Sequence, residues 1–184
     1  MTPFEKIKHM LADLDLGIKA VDFSRPWGGF FVIDDEDTQH FIHHFYPELE
    51  DKILGTGLPL SPKILCVAPD KKLSWQYHHR RSELWKLIEG EAAYKKSDTD
   101  DEGNLHIMEL NKTLTLKKGE RHRLIGLSEW GIIAEIWQHT DAENPSNEDD
   151  IVRLQDDFGK KLIKKLQNCL QSGFNKLQTR LQLQ

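Results

Sequence analysis

Three side chains of types that bind divalent metals lie close together near the middle of the chain. Gln76 and His78 are two residues apart, so their side chains leave the same face of an extended strand, and Glu83 follows after a short gap. Further along, His122 supplies a second imidazole and a plausible fourth ligand. A mixed nitrogen and oxygen set suits Zn, and also Mn, Fe, Co or Ni. We therefore expect one divalent ion here, with zinc as the first choice.

Short strands separated by turns are predicted to position these side chains. From residue 63 to residue 139 the sequence repeats short apolar runs without helices between them, which is typical of an antiparallel sandwich or barrel. Gly90 permits a tight turn within this region. The predicted strands cover residues 63–68, 73–79, 84–94, 105–110, 113–116, 122–127 and 131–139.

Two helices and one strand are predicted before the barrel. Apolar residues recur at helical spacing over residues 2–16, behind Thr2 and Pro3, and a shorter helix is predicted over 37–46. Between them, the strand that ends at Asp34 is expected at an edge of the barrel. His40 and His44 are four residues apart on the second helix, but no catalytic glutamate lies between them, so a surface role is preferred.

A long apolar stripe follows a polar loop over residues 141–150. From Ile151 to Leu181, apolar residues spaced by three and four predict a helix that packs on the barrel or on a second subunit. We therefore expect a homodimer. The length of 184 residues fits one domain. Its expected parts are an N-terminal arm (1–60), a barrel core (61–140) and a C-terminal loop and helix (141–184).

The composition excludes several classes of partner. A formal net charge of -5, with 38% hydrophobic and 30% charged residues, gives no basic face for nucleic acid. No stretch approaches the ~20 apolar residues of a membrane span, and the N-terminus does not resemble a signal peptide. We expect neither nucleic acid nor membrane as a partner, and a cytoplasmic location. Cys66 and Cys169 are expected to be buried thiols.

The metal-binding stretch resembles a known family. Gln76-x-His78-x4-Glu83-x6-Gly90 resembles the first cupin motif, with glutamine replacing its first histidine, and Gly119-x2-His122 resembles the core of the second. Glutamine, histidine, glutamate and histidine are also the ligand types of phosphomannose isomerases. The chain therefore resembles both the cupin pattern and the ligand set of these enzymes.

Flanking motifs make the resemblance more specific. Arg25-Pro26-Trp27-Gly28 resembles the start of the cupin-type (type II) phosphomannose isomerase domain, and Asp150-Ile151-Val152-Arg153 resembles its ending. The chain departs from the type II pattern at Arg80, where a third consecutive histidine is usual, and at Arg121, where proline is usual. The similarity covers about residues 25–160.

The resemblance implies a mostly β protein, a single cupin barrel with N-terminal helical additions and a long C-terminal helix. It also implies a metal-dependent isomerase that interconverts mannose 6-phosphate and fructose 6-phosphate through an enediolate. A divalent ion would act as the Lewis acid that stabilises the developing negative charge. Another phosphosugar fits the same chemistry. A non-catalytic sugar-binding or regulatory cupin and an iron-dependent cupin oxygenase are the alternatives.

Further charged residues are candidates for catalysis or substrate binding. The resemblance implies a functional Arg153 near the barrel mouth, whereas an ion pair with Asp149, Asp150 or Asp157 is its structural alternative. Glu135 alternates with apolar neighbours and is a candidate to line the site, where a carboxylate needs a metal or cationic partner. Lys118 is a candidate for proton transfer. Arg80 is expected on the ligand side, near the phosphate or Glu83, while His79 faces away; the other phosphate candidates are Lys63 and Arg121.

Overall fold

The computed structural model describes residues 1–155, which contain three α-helices and eleven β-strands. The helices are α1 (Pro3–Asp13), α2 (Thr38–Phe45) and α3 (Glu50–Leu54). The strands are β1 (Ile18–Asp22), β2 (Gly28–Ile33), β3 (Leu60–Val67), β4 (Trp75–His78), β5 (Arg81–Glu89), β6 (Ala92–Ser97), β7 (His106–Ile107), β8 (Thr113–Leu116), β9 (Arg121–Gly126), β10 (Gly131–His139) and β11 (Ile151–Gln155). Within this part of the chain, no helix has the length and apolar character needed to cross a membrane.

Two antiparallel sheets face each other, with helices on the outside of one of them. The first sheet has the order β1-β2-β3-β10-β5-β8 and the second has the order β11-β4-β9-β6-β7. Leu65, Trp85 and Ile133 of the first sheet share a buried core with Leu124 of the second, so this core lies between the sheets. The predicted two-sheet, mostly β architecture is therefore present.

The helices cover the other face of the first sheet. Ile7 and Leu11 of α1 and Phe41 of α2 pack in one core with Ile64 and Ala134, whose side chains alternate with those that face the second sheet. A capping box at Thr2 starts α1, as its Oγ accepts from the N–H of Glu5 while the Glu5 carboxylate accepts from the N–H of Thr2. Because successive side chains point to opposite faces, each strand of this sheet has one face toward the helices and one toward the second sheet.

The inner face of the first sheet is polar at one end and apolar at the other. Strand β10 pairs with β3 on one side and β5 on the other, so inward side chains stand in rows across three strands. From the polar end these rows are Ser61, Trp137 and Glu83, then Lys63, Glu135 and Trp85, then Leu65, Ile133 and Leu87. Polar groups that could do chemistry therefore gather at one end of the space between the sheets.

Tyr46 joins the helix layer to the first sheet. This residue follows α2 and is fully buried, and its hydroxyl donates to the carbonyl oxygens of Ala134 (2.7 Å) and Leu84 (3.2 Å). These two carbonyls belong to neighbouring strands, β10 and β5. The two carbonyls share the single hydroxyl proton, which ties the ring to both strands and gives Tyr46 a structural role.

Several predicted boundaries differ from the structure. The strand at residues 28–33 is not a sheet edge, because β1, which the sequence did not indicate, pairs with it from outside. The predicted strand over 84–94 is divided into β5 and β6 at Gly90, whose φ of 74° confirms the tight turn. Strand β3 starts at Leu60, three residues before the predicted strand over 63–68, and α3 was not predicted.

The C-terminal prediction is wrong at its start. Residues Ile151–Gln155 form strand β11, which pairs with β4 at an edge of the second sheet, and not the first turn of a helix. The rest of the predicted helix lies outside the described residues, as does Cys169. Cys66 is buried as expected, and burial raises the pKa of its thiol to about 12.

Candidate metal centre

His78, Glu83 and His122 meet at the polar end of the space between the sheets. His78 ends β4 and His122 lies on β9, both in the second sheet, whereas Glu83 lies on β5 in the first. The Nε2 of His78 is 3.1 Å from Glu83 Oε1, and the Nε2 of His122 is 3.4 Å from Glu83 Oε2. Each of the three side chains is only 2% exposed. Their ligand atoms all lie within 4.8 Å of one another, which is close enough for one ion to contact all three.

Two of these ligand atoms have no hydrogen-bond partner. The Nδ1–H of His122 donates to the carbonyl oxygen of Glu120 at 2.9 Å, which leaves Nε2 with its lone pair directed at the site. His122 Nε2 and Glu83 Oε2 are both buried and accept no hydrogen bond within the described part of the chain. Buried acceptors are almost always paired, so an unpaired nitrogen beside an unpaired carboxylate oxygen fits a cation between them.

The charge state of the cluster also suits a metal. Burial alone would raise the pKa of Glu83, but the nearby side chains of His78 and Arg81 hold that pKa well below its usual range. Burial lowers the pKa of His78, and the positive charge of Arg81 acts in the same direction. The low pKa of Glu83 favours an ionised carboxylate and the lowered pKa of His78 favours a neutral imidazole, and these are the forms that bind divalent ions.

A two-residue corner carries the chain from one sheet to the other between these ligands. Strand β4 ends at His78, residues 79 and 80 bend, and β5 begins at Arg81. The carboxylate of Asp150 holds the corner, as it accepts from the backbone N–H groups of His79 (3.2 Å) and Arg80 (2.9 Å). The corner shifts the alternation by one residue, so Arg81 and Glu83 face inward together.

Arg81 is a site residue that the sequence analysis missed. Its side chain is 1% exposed, and its Nε donates to Glu83 Oε1 at 2.7 Å while Nη2 lies 3.1 Å from His78 Nε2. Nη1 donates to Ser146 Oγ at 2.8 Å, and the guanidinium lies 3.5 Å from the centre of the Trp137 ring. Arg81 therefore holds Glu83 in place and compensates its charge. Its spacing of two from Glu83 was the available signal.

Glu135 and Lys63 lie one row deeper. Glu135 is fully buried, faces Lys63 and Trp85 across the sheet, and accepts from the Trp85 indole N–H at 2.9 Å. Burial and the nearby charge of Glu83 raise the pKa of Glu135 to about 7, although Lys63 and Arg81 oppose this shift. Lys63 is 5% exposed, and burial lowers the pKa of its ammonium. The site thus contains a carboxyl group that can gain or lose a proton near neutral pH.

Residues 18–156 match the family model described as "Mannose-6-phosphate isomerase C-terminal". This match covers most of the chain and includes every element that positions the cluster. The chain belongs to the mannose-6-phosphate isomerase C-terminal family. The resemblance found in the motifs is therefore confirmed at the level of the family.

One curated relative that the chain matches is the alginate biosynthesis protein AlgA of Pseudomonas aeruginosa. The two are 26% identical over 161 residues, which are 85% of this chain and 27% of AlgA. The chain thus spans about a quarter of the length of this relative. Similar solved structures include vicilin from tomato, with 13% identity, a TM-score of 0.49 and coverage of 73% of this chain and 35% of vicilin. Oxalate oxidase in complex with glycolate has 15% identity and a TM-score of 0.48, with 74% of this chain and 60% of the oxidase covered. Oxalate decarboxylase from Lactobacillus farciminis has 14% identity and a TM-score of 0.49, with 76% of this chain and 34% of the decarboxylase covered.

In this member of the mannose-6-phosphate isomerase C-terminal family, the fourth predicted ligand lies beside the cluster. Gln76 is 8% exposed and pairs directly with His122 across β4 and β9, so both side chains leave the same face. Its Oε1 accepts from Ser74 Oγ at 2.6 Å, and an amide oxygen has a second lone pair for a metal. Gln76 as a ligand stays a prediction.

Other charged candidates lie away from the buried cluster. Arg80 hydrogen-bonds to Asn144 and Asn147 and pairs with Asp150 at 3.5 Å, and Arg81 makes the contact with Glu83 that was expected of Arg80. The contact between Arg80 and Glu83 was expected because the sequence analysis continued the alternation of β4 through the corner; a phosphate-binding role for Arg80 stays a prediction.

Three more candidates lie at the surface or on the outer face. Arg121 pairs with Asp100 at 2.6 Å and stacks over Tyr77, on the opposite face of β4 from His78. Lys118 is exposed in the turn between β8 and β9. Arg153 is exposed on β11, and within residues 1–155 it forms no ion pair with Asp149 or Asp150; Asp157 lies outside the described residues.

Proposed function

We propose that this chain is a metal-dependent aldose–ketose isomerase of phosphosugars, with mannose 6-phosphate and fructose 6-phosphate as its substrate pair. The observation that carries the proposal is the buried, unpartnered pair of ligand atoms on Glu83 and His122, in a chain of this family. A cupin whose polar residues only satisfied one another would leave no such pair. The unsatisfied acceptors therefore favour a metal enzyme over a degenerate barrel.

His78, Glu83 and His122 would hold the ion, with Gln76 as a fourth ligand. The donor set suits zinc first, and Mn, Fe, Co or Ni as alternatives. When bound, the ion would supply positive charge close to the two sugar oxygens on which negative charge develops. All other steps fall to side chains of the chain itself.

Glu135 is our candidate for the proton carrier. Isomerisation of an open-chain aldose moves one proton from C2 to C1 and a second from the C2 hydroxyl to the C1 oxygen, which leaves a ketone at C2. Glu135 would accept the carbon-bound proton and return it to the adjacent carbon, since its pKa of about 7 lets both forms exist at neutral pH. The Trp85 indole fixes the position of its carboxyl group. Arg81 would keep Glu83 ionised and positioned, without touching the substrate.

The test is formation of fructose 6-phosphate from mannose 6-phosphate by the full chain. The protein is stripped with a chelator and then given Zn, Mn, Fe, Co or Ni. Activity should return with metal and should be lost in Glu83→Gln. Glu89→Gln is the matched control, because Glu89 lies on the same strand but is 45% exposed and pairs with Lys6.

The outcomes separate the alternatives. Full activity in Glu83→Gln would show that this cluster is not the catalytic centre. Sugar-phosphate binding without turnover under any metal would favour a non-catalytic sugar-binding or regulatory cupin. Turnover of a pentose or heptose phosphate in place of mannose 6-phosphate would keep the reaction type and change the substrate.

A further inference from the structure

One exposed carboxylate bridges two cations at the polar end of the first sheet. Glu148 Oε1 lies 3.1 Å from Lys63 Nζ, and Glu148 Oε2 lies 4.0 Å from Arg25 Nη2. Lys63 is buried, with its side chain 7% exposed, whereas the Glu148 side chain is 50% exposed. A fixed, buried cation is thus covered by an acidic side chain that is half in solvent.

The two cations are held in place by aromatic rings. Lys63 Nζ lies 3.2 Å from the centre of the Trp137 ring and 5.1 Å from that of Phe30. The Arg25 guanidinium lies 5.4 Å from the same Phe30 ring, and Arg25 also pairs with Asp22 at 2.7 Å. Cations that face aromatic rings keep their charge at a defined position and lose little freedom when they bind an anion.

We propose that Lys63 and Arg25 form the subsite for the phosphate group of the substrate, and that the Glu148 carboxylate occupies this subsite until the substrate binds. The proposal rests on the proposed function for the nature of the substrate. The Arg25-Pro26-Trp27-Gly28 motif contributes no residue to the metal centre, and the proposal gives it a role in binding phosphate. Of the three residues expected to bind phosphate, Arg80, Lys63 and Arg121, the proposal keeps Lys63, and it adds Arg25.

A phosphate group suits this subsite better than the carboxylate does. Glu148 carries one negative charge, whereas a phosphate monoester carries about −1.5 to −2 at neutral pH and offers three acceptor oxygens. Both cations could then be contacted at hydrogen-bonding distance, which Glu148 achieves only with Lys63. The Glu148 carboxylate can leave Lys63 for solvent, because its side chain is already half exposed.

The position of the subsite fits the metal centre. Lys63 lies on β3 and Glu83 on β5, with β10 between them, so the two strands are about 10 Å apart. The Trp137 ring contacts both Lys63 at 3.2 Å and Arg81 at 3.5 Å, and it therefore spans the space between the two sites. A phosphosugar bound with its carbonyl end at the metal ligands would then have its phosphate at Lys63.

The proposal is tested by titrating the full chain with inorganic phosphate in a calorimeter, at constant ionic strength set with chloride. The titration is done on the protein as purified and again after chelation, so that phosphate bound by a metal is recognised. Lys63→Met should weaken phosphate binding by about tenfold to a hundredfold, the range expected for one charge-assisted hydrogen bond. Arg25→Gln should weaken it in the same direction, and Glu148→Gln should strengthen it.

Lys86→Met and Glu48→Gln are the matched controls. Lys86 is 6% exposed, pairs with the 49% exposed Glu48 at 2.7 Å and lies over the Tyr46 ring, but on the helix side of the same sheet. Neither control should change phosphate affinity. Equal affinity in Lys63→Met and wild type, or no binding by wild type at millimolar phosphate, would overturn the proposal.

The same variants separate this subsite from the isomerase assignment. If wild type turns over mannose 6-phosphate but Lys63→Met binds phosphate normally, the subsite is refuted and the proposed function stands. If phosphate binding follows the predicted order and no phosphosugar is turned over, the subsite stands and the isomerase proposal fails. In an active enzyme, Glu148→Gln should lower KM for the phosphosugar.

Discussion

Replacing Arg81 with methionine should destabilise the metal-free protein strongly. Arg81 and Glu83 are 1% and 2% exposed, and their Nε and Oε1 atoms are 2.7 Å apart. Removing one member of such a pair leaves an uncompensated buried charge, which costs about 3–5 kcal/mol. Methionine keeps most of the side-chain volume and its contact with Trp137, so a cavity contributes little to this value.

The measurement is urea unfolding at pH 7, followed by tryptophan fluorescence with a chelator present. The double variant Arg81→Met/Glu83→Gln should recover part of the loss, because no charge is then left unpaired, and the double-mutant cycle gives the coupling free energy. The deficit of Arg81→Met should shrink at lower pH, since the ionised Glu83 that Arg81 stabilises becomes protonated as pH falls through its low pKa.

Metal should reduce the same deficit. A divalent ion held by His78, Glu83 and His122 compensates the carboxylate, so Arg81→Met should lose less stability with metal than without it. A loss below about 1 kcal/mol in the chelated protein would refute the reasoning, given the expected range for a buried pair. Strict additivity of the two single variants would refute it as well, because it would mean that Arg81 and Glu83 are not coupled.

Three further predictions concern the surrounding residues. Tyr46→Phe should lower stability by about 1–2 kcal/mol in urea unfolding, because the carbonyls of Leu84 and Ala134 lose a donor, and should leave metal affinity unchanged. Because the pKa of Glu135 is raised from 4.5 to about 7 in the folded state, the folded state binds this proton at a higher pH than the unfolded state does. The free energy of unfolding should therefore fall as pH rises from about 4.5 to about 7, and Glu135→Gln should remove this slope in unfolding curves measured across that range. Asp150→Asn should weaken zinc binding about tenfold to a hundredfold in competition with a chromogenic chelator, as supporting contacts do, whereas the exposed neighbour Asp149→Asn should not.

Strands that are largely buried or bounded by turns were predictable from the sequence, whereas an exposed strand and the short helix α3 were not. Strands β8 and β10 were placed correctly because β10 is almost wholly buried and β8 is bounded by turns. Strand β1 is exposed at four of its five positions, so it carries no apolar alternation to read. Ile151 and Leu154 of β11 are three residues apart, which is a helical spacing, and only pairing with β4 makes them a strand.

The three metal ligands could be predicted from the sequence, whereas the contacts of the groups around them could not. Ligand types and motif spacing identified His78, Glu83 and His122, and the structure brings these three together. The identity of the inward arginine depends on where β4 stops, which is decided by Asp150, a residue 70 positions later than Arg80. No local pattern contains that information. The contact of Lys63 with Glu148 likewise joins residues 85 positions apart.

The corner at residues 79 and 80 makes the centre more sensitive to changes of chain length than to changes of side chain. It converts an odd ligand spacing, from His78 to Glu83, into a shared inward direction. If the bend still takes two residues, deleting one residue there would slip β5 by one position, which would turn Glu83 toward the helices and bring Leu84 to the metal position. Replacing the corner residues would be tolerated far better, because Asp150 binds their backbone N–H groups. Homologous chains in which this corner keeps two residues and an acid at position 150 should therefore keep the centre, whatever side chains the corner carries.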